Sequence, residues 1–232
     1  MQGTFTPLHF FICHIIKKTE GRGGSVYVII LHFILICVSD LAVCLLIKKD
    51  EELNKAYQSN KIKAMNTVIV TNIFCIVAAI FIKQTYFVTM LCFAAVQTIS
   101  DELTAKVYSF LSQFFIVISV VLYLFSSFNL DSLFLCIGAI AVLSFLSFIK
   151  AYAWGDVECV IPFLFICATE GYNALVVLFI LLFVACGTMT AEYIIIRKIK
   201  NHTLKKVPLK EVPFVKNIFI GMFVVIMLTI QN

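Results

Sequence analysis

Two aspartates stand out because each adjoins an apolar segment of the chain. Asp101 follows the apolar run that ends at Thr98-Ile99-Ser100, and Asp156 ends the tetrapeptide that begins at Ala153, between two apolar segments. Ionised groups at the edge of a bilayer are costly to place, so they usually have a role there. Two carboxyl groups at the same membrane depth can share one proton, so that one activates water while the other polarises a carbonyl group. This is aspartic peptidase chemistry, which needs neither a metal nor an acyl-enzyme.

The neighbours of Asp156 suit either a catalytic or a structural role. Gly155 permits a tight turn and a close backbone approach next to the acid. Trp154 suits the membrane interface, where an indole ring is half hydrated. In the structural alternative, Asp101 and Asp156 are helix-end residues solvated by headgroups and water, and an aspartate at a helix N-terminus is favourable without catalysis.

The composition places these residues in a membrane protein. Of the 232 residues, 62% are hydrophobic and 13% are charged, whereas a soluble domain has about a quarter of its residues charged. Its partner is therefore the lipid bilayer. Nine cysteines occur without a Cys-x-x-Cys pair, and the four histidines share no ligand-like spacing with cysteine or acid, so we expect no metal and no cofactor. The basic loop 197–211 lacks interleaved aromatic residues, which excludes a nucleic-acid-binding module.

The apolar segments predict an all-α, polytopic transmembrane helical bundle of about eight spans. A span needs about 20 apolar residues, or fewer where the segment is covered by protein. The predicted spans are 26–47, 64–82, 85–100, 107–125, 132–150, 157–170, 173–196 and 212–230. The apolar stretch 5–16 is too short to span, so we expect it to lie in the interface or to form part of an N-terminal anchor.

Basic residues predict which side of the membrane the loops occupy. With eight spans, one side receives loops 48–63, 101–106, 151–156 and 197–211, and these loops and their flanks contain all the lysines and arginines except Lys17, Lys18, Arg22 and Lys83. Lysine and arginine are enriched on the cytoplasmic side. Asp101 and Asp156, which are separated by two spans, are therefore both expected at the cytoplasmic face.

The two acidic motifs resemble those of the type IV prepilin peptidases, the GxGD membrane aspartic peptidases. The segment Ser100-Asp101-Glu102-Leu103-Thr104-Ala105-Lys106-Val107 is similar to the first aspartate motif of that family. The segment Ala153-Trp154-Gly155-Asp156-Val157 is similar to the second motif, Gly-x-Gly-Asp-Val-Lys. The entry into the last helix, Val212-Pro213-Phe214 followed by Gly221, is also similar. The resemblance covers about residues 64–230.

The chain departs from the family pattern at three places. Ala153 replaces the usual first glycine, Glu158 replaces the usual lysine, and Val107-Tyr108-Ser109 replaces the usual Ile-Pro-Asn. Glu158 is a secondary candidate for the site, because a third negative charge near the pair would raise the pKa of a neighbouring aspartate.

The resemblance implies a specific activity and location. Members of this family cleave the leader of prepilin-like proteins at the cytoplasmic face of the bacterial inner membrane. The bifunctional members also N-methylate the new terminus and have a larger cytoplasmic insertion, whereas loop 48–63 here is short and lacks cysteine. We therefore expect a peptidase without methyltransferase activity, with a prepilin or pseudopilin as substrate. The implied organisation is an N-terminal segment 1–25, a first transmembrane helix with its basic loop over 26–63, and a prepilin-peptidase-like domain over 64–232.

Two other acids lie in or near the apolar segments. Asp40 lies about two turns inside the first span, where an acid is expected to be protonated, hydrogen-bonded near Ser39, or part of a substrate groove or proton relay. Glu192 lies near the end of the seventh span, and an ion pair with a nearby basic residue such as Arg197 is the simplest expectation.

Two alternatives to the peptidase belong to other functional classes. One is a non-catalytic membrane component of a pilus or secretion assembly, or a catalytically degenerate relative, which the three departures would fit. The other is a small transporter, for which polar or broken helices at mid-membrane are typical, and only Asp40 points that way. The sequence does not indicate an oligomeric state.

Overall fold

The described part of the computed structural model, residues 26–82, 84–126, 128–199 and 214–229, folds into nine α-helices and contains no strand. In chain order they are α1 (Val26–Lys49), α2 (Glu51–Ser59), α3 (Lys61–Phe81), α4 (Thr85–Thr104), α5 (Ser109–Ser126), α6 (Leu130–Phe148), α7 (Trp154–Thr169), α8 (Ala174–Ile199) and α9 (Val215–Thr229). The predicted N-terminal segment 1–25 and most of the basic loop 197–211 lie outside the described residues.

Five helices are long and apolar enough to cross a membrane: α1, α3, α5, α6 and α8. Each presents large apolar side chains on its outer surface, as expected where the solvent is lipid. The predicted all-helical class is confirmed, and the apolar helices indicate a membrane protein. The three remaining helices that overlap predicted spans, α4, α7 and α9, lie largely inside the bundle.

Helices α4 and α7 form the centre of the bundle. Nearly every residue of α4 from Phe87 to Asp101 is buried, and so is every residue of α7 from Asp156 to Ala168. Helix α4 packs against α1, α3 and α9, whereas α7 packs most extensively against α5 and α6. A helix that is enclosed on all sides must satisfy every polar side chain inside the protein. The two predicted aspartates belong to these two helices.

The ends of the helices form two polar faces. On one face, which we call the basic face, Lys63 pairs with Glu102, Lys106 with Glu52 and Lys216 with Glu192. These contacts join the start of α3 to the end of α4, and the end of α8 to the start of α9. On the opposite face, Tyr86 at the start of α4 donates to Glu170 after α7, and Tyr172 donates to the Thr229 carbonyl group at the end of α9.

Helix α2 lies on the basic face, within the segment 48–63 that the apolar pattern predicts to be a loop. Asp50 caps it by accepting hydrogen bonds from the backbone N–H groups of Glu52 (2.9 Å) and Leu53 (3.0 Å). Leu53 is the buried residue of this short polar helix. The Tyr108 hydroxyl group donates to the Asp50 carboxylate (2.9 Å), so that α2 is attached to the turn between α4 and α5.

Helices α8 and α9 approach each other closely at Gly221. A Cβ atom at this position would lie 2.9 Å from the backbone oxygen of Leu181. Without a strong hydrophobic driving force between helices in lipid, small residues at such contacts allow dense packing. Gly221 thereby helps to hold the N-terminus of α9 beside α8 and α4.

Candidate functional site

Asp101 lies in the last turn of α4, on the basic face, and just beyond the apolar segment 85–100. Its side chain is largely enclosed, with 8% of the residue exposed. The carboxylate accepts a hydrogen bond from the backbone N–H of Val215 (3.1 Å), the first residue of α9. The N–H of Phe214 also stabilises the charged form. Asp101 therefore caps the N-terminus of a helix that begins 114 residues later in the chain.

Asp156 occupies the third position of α7, just before the apolar segment 157–170. It is as enclosed as Asp101, with 8% exposed. Its Oδ2 atom accepts a hydrogen bond from the backbone N–H of Ala153 (3.0 Å). In a complete capping box, the side chain of the N-cap residue would also accept a hydrogen bond from a backbone N–H of the first turn. Ala153 has no side-chain acceptor, so only the bond to Asp156 forms.

Burial raises the pKa of both carboxyl groups. Burial raises the pKa of Asp156 to about 7, with a further increase from the charge of Asp101 and an opposing effect of the Ala153 hydrogen bond. Burial also raises the pKa of Asp101, which the hydrogen bonds to Val215 and Phe214 oppose. The charge of Asp101 therefore acts on Asp156, and burial keeps the Asp156 carboxyl group close to protonation at neutral pH.

The approach of α4 and α7 depends on Gly155. A Cβ atom at this position would lie 3.1 Å from the Cβ atom of Val107, in the turn between α4 and α5. A side chain there would push the turn away from the N-terminus of α7. Trp154 is 55% exposed, so its ring is on the surface of the basic face, beside the pair rather than between its members.

A buried amide that the sequence analysis did not single out lies one turn below Asp101. Gln97 donates to the backbone oxygen of Tyr108 (3.0 Å) and to the hydroxyl group of Ser112 (3.0 Å), and it accepts from the backbone N–H of Tyr108 (2.9 Å). The signal that could have revealed it is a long polar side chain within an otherwise apolar segment.

Glu158 is buried on α7 but has a different partner from Asp156. Its carboxylate accepts a hydrogen bond from the hydroxyl group of Ser109 (2.6 Å), at the start of α5. Residues two positions apart on a helix lie about 200° apart around its axis. Burial and the charge of Asp101 raise the pKa of Asp156, so the expected contribution from Glu158 is not needed to explain it.

The remaining candidate acids, Asp40 and Glu192, have partners other than the two aspartates. Asp40 accepts two hydrogen bonds from the Asn72 amide of α3 (3.0 and 3.1 Å), whereas Ser39 donates to the backbone of its own helix. Asp40 is therefore hydrogen-bonded, by an amide of the neighbouring helix rather than by the adjacent Ser39. Glu192 pairs with Lys216 of α9 (2.6 Å).

Metal and thiol chemistry have few candidate residues in the described ranges. No group of three or more histidine, cysteine, aspartate or glutamate side chains within them could hold a metal ion. The eight cysteines among the described residues are all free, and five of them are buried.

Titratable groups that face the aspartate pair are Glu102, Lys63, Tyr152 and Cys159.

A carboxyl group with a pKa of about 7 has the protonation equilibrium that acid–base chemistry requires near neutral pH. Two enclosed carboxyl groups with raised pKa values can hold one proton between them near neutral pH. In that state the pair contains both a general base and a hydrogen-bond donor.

Comparisons with protein-family models, with curated proteins and with solved structures found no match to this chain. The function is therefore inferred from the site itself.

Proposed function

We propose that this protein is a membrane aspartic endopeptidase in which Asp101 and Asp156 activate water. The observation that supports the proposal most strongly is the burial of two carboxyl groups at the ends of the two central helices, where the charge of Asp101 raises the pKa of Asp156. Asp101 lies in the last turn of α4 and Asp156 in the first turn of α7, and both lie on one face. Perturbed pKa values of carboxyl groups in such a position favour a functional role over a purely structural one.

The proposed reaction needs only these two side chains and water. The ionised carboxylate removes a proton from water, and the water oxygen attacks the carbonyl carbon of the scissile amide. The protonated carboxyl group donates to the carbonyl oxygen and stabilises the negative charge that develops there. The C–N bond then breaks as the amide nitrogen receives a proton. The pair titrates as a unit, so neither residue is assigned alone as base or acid.

The resemblance of the two motifs supports a substrate class and a location. We propose that the substrate is the leader of a prepilin or pseudopilin, cleaved just ahead of its hydrophobic segment. The basic face would be cytoplasmic, since lysines at the ends of its helices follow the positive-inside pattern. The membrane would then be the bacterial inner membrane, crossed about eight times. No methyltransferase activity is expected from the short segment that contains α2.

A second candidate is a non-catalytic membrane component in which both aspartates are structural. One specific observation favours it: each carboxylate accepts a backbone N–H at the start of a helix, Asp101 at α9 and Asp156 at α7. Such caps contribute about 0.5–2 kcal/mol each to stability without any chemistry. The departures at Ala153 and Glu158 from the family motif also fit this candidate.

Asparagine substitutions separate the two candidates. Asparagine caps helices about as well as aspartate but cannot act as a general base. We would co-express the protein with prepilin-like substrates in cells that lack their own peptidase, and compare wild type with Asp101→Asn and Asp156→Asn. The matched control is Asp131→Asn, because Asp131 is an exposed acid in the first turn of α6.

The peptidase proposal predicts leader cleavage by wild type and by the Asp131 variant, and a loss of at least about 10³-fold in each of the other two variants. All four proteins should accumulate in the membrane to similar levels. Cleavage that survives both substitutions in the pair would exclude the proposed mechanism. No cleavage by a folded wild-type protein with any pilin-like substrate would favour the non-catalytic candidate.

A further inference from the structure

The Gln97 side chain occupies a position that is expensive unless every polar atom has a partner. It lies within α4, one helical turn before Asp101, and is completely buried. A buried amide without hydrogen bonds destabilises a protein. Both amide hydrogens of Gln97 can be used, one by the Tyr108 carbonyl oxygen and one by the Ser112 hydroxyl group, and its oxygen accepts from the Tyr108 N–H.

These bonds fix the turn between α4 and α5. The two bonds to Tyr108 engage both the N–H and the C=O group of one residue, as a neighbouring strand would. The turn also contains Ala105, which has a left-handed backbone conformation with φ of 52°, and Ser100 donates to the Lys106 carbonyl oxygen (2.7 Å). Gln97 is therefore the buried anchor of a turn that has a strained residue at its start.

The same turn contacts the second aspartate motif. Val107 lies directly against Gly155, where an added Cβ atom would lie 3.1 Å from the Val107 Cβ atom. Ser112, the second partner of Gln97, lies on α5 and contacts Cys159 of α7 (4.0 Å). One side chain on α4 thus reaches the N-terminal part of α7 by two routes, through the turn and through α5.

We propose that Gln97 is a positioning residue for the aspartate pair: its amide anchors the α4–α5 turn, and the turn holds Asp156 of α7 beside Asp101 of α4. This inference rests on the proposed peptidase function for its kinetic consequences. Gln97 is not a catalytic residue, since its amide hydrogens and oxygen are engaged within the protein and are not free for substrate.

The test compares Gln97→Leu with a matched control one residue away. Leucine has a similar volume but forms none of the three hydrogen bonds. In the control, Thr98→Val, an equally buried hydroxyl group is lost, which donates to the backbone oxygen of Ala94 in its own helix (2.7 Å). Both variants remove a buried polar group from the same turn of α4, but only the first releases the α4–α5 turn.

The kinetic readout separates positioning from general stability. For leader cleavage we expect Gln97→Leu to lower kcat about 10- to 100-fold with little change in KM, because small misplacements of catalytic groups are costly. Thr98→Val should stay within about twofold of wild type in both parameters. If Gln97→Leu does not fold, Gln97→Glu decides, since its near-isosteric carboxyl group retains part of the hydrogen bonding and should give an intermediate kcat.

A second readout does not depend on activity. Infrared titration of protonated carboxyl groups in proteoliposomes should show a band that titrates near the pKa of about 7 expected for Asp156 and that is absent from Asp156→Asn. In Gln97→Leu, separation of α7 from α4 weakens the repulsion from Asp101 and admits water, so the band should titrate at lower pH. It should not move in Thr98→Val.

The outcomes distinguish the two proposals. If folded Gln97→Leu cleaves at the wild-type rate and its band does not move, while Asp101→Asn and Asp156→Asn are inactive, the positioning role is wrong and the peptidase function stands. If wild type cleaves nothing but the band moves in Gln97→Leu alone, the peptidase function is wrong and the positioning role stands. Equal losses of kcat in Gln97→Leu and Thr98→Val would overturn the positioning role.

Discussion

The hydrogen bond from α9 to Asp101 can be removed without changing the aspartate. Val215 is the first residue of α9, and its N–H donates to the Asp101 carboxylate at 3.1 Å. Proline is favoured at the first position of a helix, because its ring fits the helical φ angle and the helix itself does not use that N–H. Val215→Pro should therefore remove one donor to Asp101 and leave α9 intact.

The size of the effect follows from the strength of the bond. A hydrogen bond to a charged group contributes about 1.5–3 kcal/mol, and one pKa unit corresponds to about 1.4 kcal/mol. The bond favours the ionised form, so its loss should raise the pKa of Asp101 by about 1–2 units. Burial already raises this pKa, and the Val215 hydrogen bond opposes that increase. Loss of the hydrogen bond therefore raises the pKa of Asp101 further.

The assay is the pH dependence of kcat/KM for leader cleavage. The pair is active with one carboxyl group ionised, so the acidic limb reports its first ionisation and should move upward by about 1–2 pH units in Val215→Pro. Val215→Ala retains the N–H and should overlay the wild-type profile. Superimposable profiles for the proline and alanine variants would show that the ionisation of Asp101 does not limit the reaction, and the assignment of Asp101 would fail.

Three further predictions concern stability. The pKa of Asp156 is raised to about 7, so folding stability is lost as the pH rises from the pKa of the unfolded-state carboxyl group through 7. Asp156→Asn should therefore be more stable than wild type at pH 8 but not at pH 4, as measured by thermal unfolding in detergent. Gly221→Ala places a methyl group 2.9 Å from a backbone oxygen of α8 and should destabilise the protein by about 1–3 kcal/mol, with no such loss for Gly187→Ala, where the space is open. Asp40 and Asn72 are joined by two hydrogen bonds, so a double-mutant cycle with Asp40→Ala and Asn72→Ala should give a coupling energy of about 0.5–3 kcal/mol. A coupling energy near zero would mean that these hydrogen bonds do not stabilise the fold.

The apolar helices could be predicted because their signal is local. Long runs of apolar residues need no partner to be recognised, and each predicted span overlaps one helix of the structure. Helix α2 was missed because it is short and polar, and its support is tertiary. The Asp50 cap is a local signal, but the contact of Tyr108 with Asp50 joins residues 58 positions apart.

The candidate site was only partly visible in the sequence for a similar reason. The two aspartates could be found because charges next to apolar segments are conspicuous and the number of intervening spans fixes their face. Their hydrogen bonds could not be predicted, since the partner of Asp101 lies at the start of α9. The role of Gln97 also depends on which loop folds back over α4. Such contacts follow from packing, which no local pattern encodes.

Glu158 offers a final test of how the charge near the pair is organised. A third acid two residues after Asp156 would be expected to raise its pKa if all three carboxyl groups shared one space. In the structure Glu158 accepts a hydrogen bond from Ser109 of α5 (2.6 Å), and burial and Asp101 account for the raised pKa of Asp156. We therefore expect Glu158→Gln, which can still accept from Ser109, to leave the infrared titration of Asp156 unchanged.

The matched comparison for Glu158→Gln is Asp101→Asn, which removes a charge that does act on Asp156 and should lower its pKa measurably. Both substitutions replace one carboxylate by an amide, so a difference between them reports position rather than net charge. A downward shift in Glu158→Gln as large as that in Asp101→Asn would mean that the three acids form one coupled cluster. The pair could then no longer be treated as two groups, and the shift predicted for Val215→Pro would be spread over three carboxyl groups and become smaller.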